Sequence, residues 1–120
     1  MAQTGIIHKR RFAIGIPEDK GKKVEIVLDI YNGHAWKETA KEFVFERQKF
    51  DTKSLEIKMK IKRKDTNDYD EYHDVLGFPI EVDPDRCSVK DTKDGRVVIY
   101  LTKRVDAPWP ANGKIIRLPE

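Results

Sequence analysis

Residues 54–64 read SLEIKMKIKRK, and the order of those side chains decides the class of fold. Leu55, Ile57, Met59 and Ile61 occupy every second position, and Glu56, Lys58, Lys60 and Lys62 fill the places between them. Neighbouring side chains of a strand point to opposite faces, so this alternation predicts a strand with one face on a core and a charged face in water.

The same period of two extends upstream. In KKVEIVLDIY (22–31) Val24, Ile26, Leu28 and Ile30 share one face, opposite Glu25, Val27 and Asp29. RFAIGIP (11–17) offers Phe12, Ile14 and Ile16 before Pro17 stops the run, and PEDKGKK (17–23) is a polar turn segment. Downstream, DVLGFPIEV (74–82) is apolar but interrupted by Gly77 and Pro79, which predicts a short or edge strand with a bulge or kink. DPD (83–85) reads as a turn, RCSVKDT (86–92) as a short strand, and KDG (93–95) as a hairpin turn in which Gly95 takes a positive φ. RVVIYLT (96–102) is the least interrupted apolar run and is the candidate central strand.

One segment carries two signals. In HAWKETAKEFVFERQKF (34–50), Trp36, Ala40, Phe43 and Val44 fit a helical stripe, whereas the FVF triplet favours a strand. Asn32-Gly33 just before it is a hairpin-turn signal. The expectation is a strand over 42–49, preceded by a turn or short helical piece over 34–41. Together these elements predict an all-β fold, an antiparallel β-sandwich of about seven strands. Outward lysines on several strands would keep its sheet edges from pairing with other chains. The domain is expected over residues 6–110, and the turn-rich segment 111–120 as an extended C-terminal tail.

Composition narrows the function. A chain of 120 residues is one domain by length, with 38% hydrophobic and 38% charged residues. Its 24 basic and 21 acidic residues leave a net charge of only +3, too even to mark a nucleic-acid binder. The basic run of Lys58, Lys60, Lys62, Arg63 and Lys64 is followed at once by Asp65, Asp68, Asp70, Glu71 and Asp74, which favours a solvated strand face over a phosphate-binding one. Cys87 is the one cysteine, so no internal disulfide or thiolate metal site is expected. With no apolar run long enough to span a membrane and no secretory pattern after MAQTG, the expectation is a cytoplasmic protein.

Residue chemistry gives no support to catalysis. His8, His34 and His73 lie far apart in different elements and read as surface or satisfied core side chains. His73 sits in DYDEYHDV (68–75), an acidic stretch read as a solvated loop. DTNDYDEY (65–72) lacks the glycine and terminal glutamate of a calcium loop. Asp83 and Asp85 flank Pro84 as turn formers, and Cys87 reads as a small core residue. No phosphate-cradling glycine loop and no nucleophile elbow occurs. No enzyme activity, cofactor or metal is expected.

The block from Ile80 to Trp109, IEVDPDRCSVKDTKDGRVVIYLTKRVDAPW, resembles the C-terminal half of a CS domain. This β-sandwich is shared by small cytosolic co-chaperones of heat-shock protein 90, by Sgt1-type proteins and by the nuclear-distribution (NudC) family. The carrying residues are Val82-Asp83-Pro84, Cys87–Val89, Lys93–Gly95, Leu101-Thr102-Lys103 and Trp109. The stretch 77–103 is also similar to the α-crystallin domain of small heat-shock proteins, and Ile116-Arg117-Leu118 resembles the tail anchor of that family.

These resemblances imply an HSP20-like sandwich in which Trp109 folds back as a lid on the last strands. They imply a non-catalytic protein-interaction module: a co-chaperone or chaperone-linked adaptor whose protein partner is heat-shock protein 90 or a client. The exposed positions expected to meet that partner are Lys58, Lys60, Lys62, Tyr100 and Lys103, on a monomer or weak dimer. The alternatives are a small-heat-shock holdase that oligomerises through Ile116 and Leu118, and a cytoskeletal or structural assembly protein on the same fold.

Overall fold

Alternating side chains become paired strands. The computed structural model describes residues 5–30, 36–64, 66–92, 95–111 and 113–119; the Asn32-Gly33 turn, His34, Asp65 and Lys93-Asp94 lie outside them. Among the described residues the strands in chain order are β1 (Ile7–Arg10), β2 (Ala13–Ile14), β3 (Glu18–Asp19), β4 (Lys23–Asp29), β5 (Ala40–Phe50), β6 (Ser54–Arg63), β7 (Tyr69–Gly77), β8 (Ser88–Asp91), β9 (Val97–Thr102) and β10 (Ile116–Leu118). A single helical turn, α1 (Trp36–Thr39), precedes β5, and Pro84–Arg86 form a 3-10 turn before β8.

The chain is mostly β and forms two sheets. The first runs β1-β7-β6-β5, with β10 also on β7; the second runs β2-β4-β9-β8, with β3 also on β4. Their inward residues meet in one core. From the first sheet come Leu55, Ile57, Met59 and Ile61 of β6, and from the second Val24, Ile26 and Leu28 of β4 and Val97, Ile99 and Leu101 of β9. Side chains of this size contribute roughly 1.5–3 kcal/mol each when fully buried. The alternation that opens the sequence reading is thus realised: Glu56, Lys58, Lys60 and Lys62 face out while their neighbours are buried. β9 lies between β4 and β8, as its uninterrupted apolar run implies. The hairpin joining β8 and β9 uses Gly95 at φ 78°, a conformation that L side chains rarely adopt.

Several expectations are corrected. The DYDEYHDV stretch is not a solvated loop: it builds most of β7, which has β6 on one side and β1 and β10 on the other. The Asp74–Val82 run, expected as a short or edge strand with a bulge or kink, is strand only as far as Gly77, inside the sheet and not at its edge; Phe78 and Val82 then turn back into the core. Ile16 does not share the face of Phe12, for Phe12 is buried and Ile16 is 92% exposed beyond the end of β2. The sheets are not wholly antiparallel either. β1 joins β7 in parallel, with Ile7 opposite Tyr69 and Arg10 opposite Tyr72. That entry is fastened by acids at the start of β7. Asp68 accepts from the Ile6 N–H and lies 3.0 Å from His8 Nε2, while Asp70 accepts from Arg10 Nε at 3.0 Å.

The segment beyond residue 110, expected to be extended, holds a strand on the first sheet. Ile116–Leu118 pair antiparallel with Val75–Gly77, and Arg117 bonds both Asp74 and the Phe12 carbonyl. Gly77 permits the approach: a Cβ there would sit 3.1–3.2 Å from the side chains of Ile116 and Leu118.

Candidate functional site

A groove of about 560 Å³ crosses the outward face of the second sheet, and the strand register explains its lining. Val24, Leu101 and Val89 point into the core, so the residues between them must point out. Tyr100 is opposite Glu25 on β4 and Ser88 on β8; one step along, Val98 is opposite Val27 and Lys90. In the other direction Thr102 is opposite Lys23. Tyr100 therefore stands mid-face, with Lys90 Nζ 6.0 Å from its ring centroid.

The turn between β3 and β4 supplies one rim. Gly21 sits at φ 89°, where other residues are strained, and Asp19 Oδ1 accepts from its N–H at 3.1 Å. The Lys20 N–H bonds the Lys23 carbonyl at 2.8 Å, closing a tight turn that sets Lys20, Lys22 and Lys23 along the groove. Arg86 and Lys90 line it from the β8 side. The five cations face one carboxylate in the groove, Glu25, which Lys20 takes at 2.5 Å. That hydrogen bond raises the pKa of Lys20 and keeps it charged. Arg86 makes an exposed contact with Asp83 at 3.6 Å. Lys22, Lys23 and Lys90 make no ion pair among the described residues. The arrangement is a concave positive surface with a phenol at its centre, suited to binding an anion-bearing partner.

Beneath one end of the groove lies a polar clasp. Lys103 is 1% exposed; its ammonium donates to Asp19 Oδ1 at 2.8 Å and to the Ala107 carbonyl at 2.5 Å. The other oxygen of Asp19 accepts the Trp109 N–H at 2.8 Å. Trp109 is half-buried against the core, and its indole N–H donates to the Gly113 carbonyl at 3.1 Å. The Lys103 bond first, and then the Trp109 N–H, hold the Asp19 carboxyl below its ordinary value. Glu56 and Asp68 are lowered likewise, chiefly by His73 and His8.

A carboxyl whose folded pKa is depressed stabilises the fold above its unfolded value, and that stability disappears as pH falls through the folded value. Acid unfolding followed by circular dichroism from pH 6 to pH 2 should therefore show stability lost below about pH 4. Asp19→Asn should be less stable than the parent at pH 6 and should lose less between pH 4 and pH 2. Parallel acid limbs for the two proteins would contradict the role given to Asp19.

The residues expected to meet a partner are not brought together. Lys58, Lys60 and Lys62 stand on the outer face of the first sheet, where Lys58 and Lys60 lie 3.5 and 3.4 Å from Glu46. Lys60 and Lys62 also sit over the Tyr69 ring at 5.5 and 5.7 Å. Tyr100 belongs to the other sheet, and Lys103 is a buried structural cation instead of an exposed contact, because the chain after β9 folds over it. Ile116 and Leu118 lie on this chain's own β7.

Sequence reading missed Lys20, Lys22, Lys23, Arg86 and Lys90. Their signal was the Lys-Gly-Lys-Lys turn and the spacing of Arg86 and Lys90 around a short strand, but the adjacency of β4, β9 and β8 had to be known first. Cys87 is half-buried; its thiol meets the Asp83 carbonyl at 3.1 Å, and burial pushes its pKa up.

Among the described residues no three His, Cys, Asp or Glu side chains are grouped to hold a metal ion, and no helix is long and apolar enough to cross a membrane. In comparison with known proteins, the chain matches no family model and no curated sequence.

Proposed function

We propose that this chain is a protein-interaction module without catalytic activity, a co-chaperone or chaperone-linked adaptor on an HSP20-like, CS-type sandwich. The observation that carries the reading is the concave basic face around Tyr100 on the second sheet, which suits a docking role. The HSP20-like assignment draws on the resemblance of residues 80–109 and on the return of Trp109 onto the core after β9. That resemblance points to heat-shock protein 90 as the partner.

Sedimentation velocity of the chain, alone and with heat-shock protein 90 plus a non-hydrolysed ATP analogue, tests the reading. Co-migration of chain and chaperone is the expected result. A chain that sediments alone in both samples rules out that partner.

The tail motivates a second reading. Ile116–Leu118 occupy a short stretch of the β7 edge, and a neighbour's tail can make the same pairing by exchange. Such a holdase would form oligomers that disappear when the chain is ended at Pro110. The adaptor reading expects the shortened chain to keep the sedimentation coefficient of a monomer.

A further inference from the structure

We infer that the groove on the second sheet takes an extended acidic segment of a partner protein, with consecutive carboxylates reaching the two basic rims. The inference rests on the interaction-module reading and adds the chemistry of what is bound. Lys20, Lys22 and Lys23 stand on one side of Tyr100, and Arg86 and Lys90 on the other. From β4 across β9 to β8 is two strand spacings, roughly 10 Å. An extended chain laid along the Tyr100 row sends successive side chains to opposite sides, so adjacent Asp or Glu residues meet both rims at once.

The groove has a polar floor, and an exposed valine lies beside it. Ser88 and the Tyr100 hydroxyl offer hydrogen bonds to the segment's main chain. Next to the groove, one pair along the sheet from Tyr100, Val27 is 41% exposed opposite Val98, which is itself 8% exposed. An apolar residue following the acids has a place there.

A nucleic acid fits less well. Single strands are held by a continuous basic track with stacking rings, whereas Tyr100 is the one aromatic ring lining this groove. The opposite sheet's outer face has its lysines engaged with Glu46 and Tyr69, so it offers less free positive charge.

Fluorescence anisotropy of a labelled octapeptide, seven glutamates followed by one leucine, tests the inference on the whole chain. The peptide should bind, and binding should weaken as salt rises. Reversing the pair Lys22→Glu and Lys23→Glu, or Lys90→Glu alone, should weaken it by at least about tenfold, as expected when opposed charges replace attracting ones. Lys58→Glu with Lys62→Glu changes net charge as much as the first pair but lies on the other sheet, and it should leave affinity within about twofold. Lys22→Gln with Lys23→Gln guards against a folding effect of charge reversal, and circular dichroism checks each variant.

Equal affinity for a peptide with glutamine at every glutamate overturns the inference. So does equal weakening by the two double reversals, or tighter binding of oligothymidine than of the acidic peptide. Peptide binding without co-sedimentation of heat-shock protein 90 rejects the named partner alone. Co-sedimentation unaffected by Lys22→Glu and Lys23→Glu, with no peptide binding, rejects the groove alone.

Discussion

Replacing Asp70 with alanine should cost about 3 kcal/mol of folding stability and lower Tm by roughly 12 °C for a chain of this size. Asp70 is fully buried, yet two arginines converge on it: Arg10 Nε at 3.0 Å, and Arg63 through Nε at 3.0 Å and its terminal nitrogen at 2.8 Å. Removing one member of a buried ion cluster leaves the others short of a counter-charge, which typically costs about 3–5 kcal/mol. Arg10 is half-exposed and can turn toward water, so the lower end applies. Asp70→Asn retains one acceptor and should fall between alanine and the parent. Replacing Asp70, Arg10 and Arg63 together by leucine should recover part of the loss, since apolar packing can substitute for a buried ion cluster. Urea titrations of the four proteins check this. A single alanine variant within about 0.5 kcal/mol of the parent would show that β7 tolerates an unfilled charge site.

Trp36→Ala should be of similar size, about 3–5 kcal/mol. Trp36 is 8% exposed, stacks at a tilt on Phe43 with centroids 5.1 Å apart, and through Phe43 meets Phe45 at 4.7 Å. Its indole N–H donates to Asp91 at 2.6 Å, and its main-chain N–H to the Gly95 carbonyl at 3.0 Å. The one turn of α1 thus ties β5 of the first sheet to the β8–β9 hairpin of the second. Trp36→Phe keeps most of the aromatic packing but loses the bond to Asp91, and should cost about 1–2 kcal/mol. Thermal melts of both variants check the ranking. If phenylalanine proves as damaging as alanine, the hydrogen bond and not the packing holds α1 in place.

How much of this was legible depends on where charge sits relative to the strand period. β4 and β6 were readable because their inward positions are all apolar and their outward positions mostly charged, and β9 because its apolar run is uninterrupted. The first part of β7 was not readable, because inward positions at Asp70 and Asp74 carry acids, and a buried carboxylate looks like a solvated one until its arginines are located. Those arginines come from β1, β6 and β10, elements far apart in the chain. The groove was hidden for a related reason. Tyr100 was named from its own strand, but its cationic neighbours sit on strands whose adjacency no local pattern specifies. Lys103 shows the converse error: an apolar run located the strand just before it, and the fold of the following residues buried it.

The edge of β7 opposite β6 is shared by two short strands from opposite ends of the sequence: β1 along Tyr69–Tyr72 and β10 along Val75–Gly77. The two do not meet: one covers the first half of that edge and the other its end. Without β10 the stretch Val75–Gly77 would be a bare strand edge, the kind of surface that pairs with other chains. β10 therefore works as an edge cover, and it does so with main-chain bonds that any three residues able to lie beside Gly77 could make.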